Sequence, residues 1–198
     1  MNNNQWRVGI FLFDDVEVLD FAGPFEVFSV TELEDDEKPF IVEMVSEKGN
    51  IINALNGLKV QPDYNFENMP QFDILIIPGG LGASEHEMHN DSVIKWIANQ
   101  MKSVQLMTSV CTGALLLAKS GLLEGKKCTT HWAFLERLEK EFPEVDVQQG
   151  VKFVDEGDII TSGGISAGIN MSFHIVKRLL GQEVAQKTAK IMEYDIIF

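Results

Sequence analysis

Cys111 stands between the apolar run 104–110 (VQLMTSV) and the apolar run 112–119 (TGALLLAK). The first reads as a buried strand and the second as a helix with small residues in its first turn. A cysteine at such a junction is held on a sharp turn with strained dihedrals and is set up as a nucleophile. The start of the helix would favour thiolate over thiol. Ser109 and Gly113 flank it two residues away, and small residues suit a turn where backbone comes close to its neighbours. The plainer reading is a small core hydrophobe. The other cysteine, Cys128, falls in a short strand, where burial would keep it inert.

Other residues offer chemistry that would complement a thiol. Asp20 lies in the apolar stretch Val18-Leu19-Asp20-Phe21-Ala22, where burial raises a carboxyl's proton affinity. A protonated Asp20 could donate a hydrogen bond to the thiolate or deliver a proton to an intermediate. It could instead serve only as a helix N-cap. The amides of Gly79 and Gly80, after strand 72–78, are candidate oxyanion donors or simply a tight turn. Thr112 could bond a substrate or the sulfur, or merely begin the helix. His131 is the candidate for a Cys–His pair, or else a residue that caps or packs at a helix start. His174, within the helix that ends at 180, reads as structural. His86 and His89, with Glu85 and Glu87, read as solvated loop residues rather than a metal site. Phe21, Ala22 and Leu81 would suit an uncharged substrate.

The elements that must position these residues alternate. Strands are expected at 6–13, 40–46, 72–78 and 104–110, with a small hairpin over 51–60. Shorter strands are expected at 127–130, 151–154 and 158–161. A helix runs from a turn near residue 20 to residue 30, with Pro24 in its first turn. Further helices are expected at 91–101, capped by Asp91 or Ser92, at 132–142, from the 162–164 turn to 180, and at 182–194. Gly181 suits the position after the long helix. Residues 1–5 read as a polar tail. Such alternation implies an α/β fold, a mostly parallel sheet with helices on both faces, in one domain over 1–198. Loops at the carboxyl ends of its strands would gather Asp20, Gly79-Gly80 and Cys111 in one crevice.

Composition narrows the function classes. The chain has 198 residues, 16 basic and 30 acidic, for a net charge of −14. That disfavours nucleic acid and anionic membranes as partners and leaves a small molecule. The dense acidic patch at 32–37 reads as a solvated loop. No secretory or bilayer-spanning run is present, so a cytoplasmic location is expected and a disulfide is not. Two cysteines and four histidines lack zinc-finger spacing, and no metal or organic cofactor is expected.

Several segments together resemble the ThiJ/PfpI superfamily. They are Val18-Leu19-Asp20-Phe21-Ala22-Gly23-Pro24-Phe25-Glu26-Val27-Phe28, Ile76-Ile77-Pro78-Gly79-Gly80, Ser109-Val110-Cys111-Thr112-Gly113, Gly121-Leu122-Leu123-Glu124-Gly125, Thr129-Thr130-His131-Trp132 and Gly163-Gly164-Ile165-Ser166-Ala167-Gly168. The resemblance implies a flavodoxin-like fold, a reactive elbow cysteine with an acid beside it, and a homodimer. Proteases of the superfamily carry His where this chain has Thr112, and the deglycase and glyoxalase branch carries Glu where it has Asp20. The pattern is most similar to the isonitrile hydratase branch. By that resemblance Asp20, Cys111 and Thr112 are catalytic, and the reaction is hydration of an isonitrile to an N-substituted formamide. Glyoxalase-, deglycase- or amidase-like hydrolysis and a thiol-based redox sensor or ligand-binding dimer are the alternatives. AraC-type regulators share the pattern but append a helix-turn-helix domain, for which the 198 residues leave no room.

Overall fold

The computed structural model describes residues 5–196, so of the expected polar tail only Gln5 is within the described residues. In chain order the elements are β1 (Trp6–Phe11), α1 (Val18–Val30), β2 (Phe40–Ser46), β3 (Ile52–Asn53), β4 (Lys59–Val60), β5 (Tyr64–Asn65) and β6 (Ile74–Ile77). There follow α2 (Leu81–Glu85), α3 (Asp91–Gln100), β7 (Leu106–Val110), α4 (Gly113–Lys119), β8 (Lys127–Cys128) and α5 (Leu135–Glu141). The chain continues through β9 (Asp146–Val147), β10 (Phe153–Asp155), β11 (Ile159–Ser162), α6 (Ala167–Leu180) and α7 (Gln182–Ile191).

Seven strands form one sheet in the order β10-β11-β7-β6-β1-β2-β5 among the described residues. Every neighbour pairing is parallel except β10 with β11. The central strands are apolar throughout, as a sheet covered on both faces requires: β6 and β7 are fully buried along their length. β11, β7, β6 and β1 are adjacent and parallel, so their four carboxyl ends lie side by side. Ile77 pairs with Ser109 and Val110 with Ser162, which sets the loops after β6, β7 and β11 level with one another. The mostly parallel α/β architecture expected from the alternation is the observed one.

Several local expectations shift. α1 starts at Val18, so Pro24 sits inside it rather than in its first turn. There the proline forgoes the N–H bond toward the Asp20 carbonyl and its ring crowds that carbonyl. α3 is capped by Asn90, not Asp91 or Ser92; its side chain accepts from the amides of Ser92 and Val93. The span 132–142 divides into a 3-10 turn, Trp132–Phe134, and α5. The long helix begins at Ala167, and Gly181 ends it with φ of 94° and an amide bond back to Lys177. The hairpin is present as the antiparallel pair β3–β4. It docks on the loop after β1 through Asp15 N to Asn53 O and Leu55 N to Val16 O.

The apolar stretch 21–28 packs largely inward. Phe21, Val27 and Phe28 are buried in the chain's own core. In the acidic patch, Glu34, Asp36 and Glu37 are exposed to solvent. Among the described residues no helix is long and apolar enough to cross a membrane.

Candidate active site

Cys111 occupies the turn between β7 and α4 with φ of 57°. That left-handed backbone is uncommon for a residue with a side chain and is held here by neighbours on both sides. The Cys111 amide donates to the carbonyls of Ser162 and Gly163. Its carbonyl accepts from Thr130 Oγ1 at 2.7 Å. Gly113 is required by the turn, since a Cβ there would run into the Ile77 carbonyl.

Asp20 reaches the sulfur from the first turn of α1. It is not the N-cap, a position held by Glu17. The side chain is fully buried, and Oδ2 accepts from the Gly79 amide at 3.0 Å. Oδ1 has no well-formed partner of its own. The Cys111 thiol and the Ile165 amide interact with the carboxyl more weakly. Burial pushes Asp20 up to about 7, with Glu17's charge adding to the rise and the Gly79 amide opposing it.

The thiol does not follow the expectation of an easily formed thiolate. Burial, and then the charge of Asp20, push the Cys111 thiol well above its ordinary range. The Thr112 amide and hydroxyl pull it back only in part. The helix α4 has seven residues, too short a dipole to outweigh a buried carboxylate beside the sulfur. The acid that raises the thiol is also hydrogen-bonded to it and so is placed to take its proton.

The two glycine amides proposed as oxyanion donors are both engaged inside the protein. Gly79 N–H is bonded to Asp20, and Gly80 N–H donates to Thr112 Oγ1 at 2.9 Å. Thr112 Oγ1 in turn donates to the Gly80 carbonyl at 3.1 Å. Thr112 is buried, and its hydroxyl ties the loop after β6 to the loop after β7. Gly79 is needed for that closure: a Cβ would lie 2.5 Å from the Thr112 nitrogen and 2.8 Å from the Cys111 Cβ.

Above the sulfur a mainly apolar cavity of about 200 Å³ opens to solvent, lined by Leu55, Leu81, Phe134 and Ile165 with Glu17, Ser84 and His131. Cys111 is 6 % exposed, all of it consistent with this opening. Phe21 and Ala22 do not reach the cavity; Leu81 does. His131 lies at its wall. Its Nδ1 accepts from the Ala133 amide at 3.3 Å, so the capping role is realised. Gly164 packs against the ring, where a Cβ would collide with Cδ2. His174 lies away from the site, bonded to Asp155 at 2.7 Å.

Sequence reasoning missed Glu17, Leu55, Ser84, Thr130 and Ile165 as site residues. Ile165 left a trace, since it follows Gly163-Gly164; in the structure it has φ of 57°, a strained value for a β-branched residue. Glu17, Leu55 and Ser84 are brought to the cavity, and Thr130 to the Cys111 carbonyl, by docking of elements far apart in sequence. No group of three or more His, Cys, Asp or Glu side chains is arranged to hold a metal among the described residues.

A profile of the DJ-1/PfpI family matches residues 6–178. Isonitrile hydratase from Pseudomonas putida is 34% identical over 188 residues, spanning 95% of this chain and 78% of that enzyme. The HTH-type transcriptional regulator GbdR of Pseudomonas aeruginosa is 26% identical over 196 residues; the match takes in 99% of this chain and 53% of the regulator, about half its length. The crystal structure of a ThiJ/PfpI family protein from Pseudomonas syringae superposes with a TM-score of 0.86 at 24% identity, covering 98% of this chain and 77% of that one. With the fold, the Cys111 turn and these matches together, the chain belongs to the DJ-1/PfpI family.

Proposed function

We propose that this protein hydrates a small uncharged electrophile through Cys111, with isonitriles as the substrate class and an N-substituted formamide as product. The observation that carries the reading is the Asp20 carboxyl, pushed up to about 7, set against the Cys111 thiol at the floor of a small apolar cavity. The identity to isonitrile hydratase supports it.

The steps balance as follows. Asp20 carboxylate takes the thiol proton as the sulfur bonds to the terminal isonitrile carbon. The same proton passes from Asp20 to that carbon, leaving a thioimidate, R–N=CH–S–Cys111. Water adds to the C=N bond, one hydrogen going to nitrogen. The C–S bond then breaks, the hydroxyl proton returns to the sulfur, and R–NH–CHO leaves. Asp20 is proton carrier throughout, Thr112 holds the loop that carries Gly79 and Gly80, and His131 is auxiliary at the cavity wall. The chemistry needs no metal or organic cofactor. We further propose that the working form is a homodimer in the cytoplasm, without nucleic acid or membrane as partner.

A turnover assay with several isonitriles, comparing wild type with Cys111→Ala and running methylglyoxal in parallel, tests this. Formamide production lost in Cys111→Ala is expected. Turnover of methylglyoxal alone would move the protein to the glyoxalase-type alternative, and turnover of neither would leave a sensor or binding role.

A further inference from the structure

Among the described residues Glu17 is the one carboxylate that lines the cavity. It sits at the N-cap of α1, yet its side chain makes no capping bond. Its amide donates to the Gly79 carbonyl at 2.9 Å and its carbonyl accepts from the Asp20 amide, so its backbone is fixed over the loop that holds Asp20. The carboxylate itself has no hydrogen bond or ion pair among the described residues. No lysine or arginine among the described residues lines the cavity. Arg137, which bonds the Ser84 carbonyl behind the wall, is already paired with Glu85 and Glu141. Leu55, Leu81, Phe134 and Ile165 offer an incoming charge no solvation.

We infer that Glu17 is a specificity-determining residue that bars anionic electrophiles from Cys111 and admits uncharged or cationic ones. The inference rests on the proposed function for its substrate class: isonitriles whose substituent is neutral or carries an amine, not those carrying a carboxylate. An unpaired carboxylate lining an apolar cavity repels a second negative charge that enters it. Across the few ångströms of such a cavity this discriminates by about tenfold at an intermediate effective dielectric. Neutralising it removes the repulsion without changing the cavity's shape.

The test reads charge selectivity at Cys111 without needing a substrate. Rates of Cys111 modification by a cationic and an anionic methanethiosulfonate of similar size (the aminoethyl and sulfonatoethyl reagents) are measured by peptide mapping, each relative to a free small thiol. Wild type should prefer the cationic reagent over the anionic one by about tenfold more than the free thiol does, and high salt should narrow the gap. Glu17→Gln should narrow the ratio by about that tenfold, leaving only the preference set by the Asp20 carboxylate beside the sulfur. Taking a ratio cancels any change in sulfur reactivity that the variant causes through Asp20. Glu183→Gln, an acid on α7 away from the cavity, controls for net charge and should leave the ratio where it was. An equal ratio in wild type and Glu17→Gln, an equal shift in Glu183→Gln, or no reaction of Cys111 with either reagent would each overturn the inference. A shifted ratio with no isonitrile turnover would sink the proposed function and leave the role of Glu17 standing. Isonitrile turnover with an unshifted ratio would do the reverse.

Discussion

Thr130 Oγ1 donates to the carbonyl of Cys111 at 2.7 Å, linking the chain after β8 to the strained turn that carries the thiol. Among the described residues the same carbonyl otherwise receives a long bond from Ala114 N at 3.4 Å. Thr130→Val keeps the shape and removes the donor. It should cost about 1–2 kcal/mol in urea unfolding and slow Cys111 alkylation, while Thr130→Ser recovers most of both. Equal stability of wild type and Thr130→Val would count against this latch.

Asp20→Asn separates thiol ionisation from turnover. Removing the carboxylate takes a raising charge away from Cys111, so the thiol should ionise more readily in an absorbance titration near 240 nm. Turnover should nevertheless fall on the order of 10²-fold or more, because Asn cannot carry the proton. In wild type, kcat/KM should climb as pH rises through about 7, where Asp20 becomes the base, and that inflection should vanish in the variant. Turnover unchanged in Asp20→Asn would remove Asp20 from the mechanism.

The same substitution predicts a stability change with a definite sign. Asp20 is raised on folding from 3.8 to about 7. Between those values the folded protein keeps a proton that the unfolded chain releases, so this residue's contribution falls as pH rises through the window and levels off above it. Asp20→Asn should match wild type near pH 4 and exceed it by pH 8, on the order of a few kcal/mol. Urea midpoints at the two pH values check it; a wild type that gained on the variant toward pH 8 would contradict the sign.

Cys111 and Cys128 should differ in reactivity although both are buried. Cys128 has no exposed surface, and burial with the charges of Asp146 and Glu156 pushes it up to about 12. Cys111 opens on the cavity and has a base beside it. Limited iodoacetamide labelling with peptide mapping should find Cys111 modified first, and preferential labelling of Cys128 in the folded protein would reject the assignment.

Gly79→Ala should be among the most damaging small changes in the chain. The added carbon would sit 2.5 Å from the Thr112 nitrogen and 2.6 Å from its hydroxyl oxygen, and backbone cannot swing aside. A loss of about 3 kcal/mol or more is expected, together with reduced Cys111 reactivity as the turn shifts. Calorimetry and alkylation rate read the two effects separately; a variant with wild-type values of both would show that the loop has slack.

The amino-acid sequence by itself determined the features that depend on near neighbours. Runs of apolar residues of strand length, the period of the helices, and Gly181 after α6 are local signals, and they sufficed for the parallel α/β architecture and for Cys111 at a strand–helix junction. A buried place for Asp20 also followed from its apolar flanks. Only the tertiary structure decided what each polar group faces. Gly79 and Gly80 carry amides of the kind an oxyanion needs, but Asp20 and Thr112, brought in from α1 and the turn after β7, take both of them. The thiol's ionisation reversed its expected direction because burial and a carboxylate 91 positions earlier in the chain outweigh a helix of seven residues. Glu17, Leu55, Thr130 and Ile165 reach the site by the docking of loops after different strands, and no local pattern encodes which of those loops will meet.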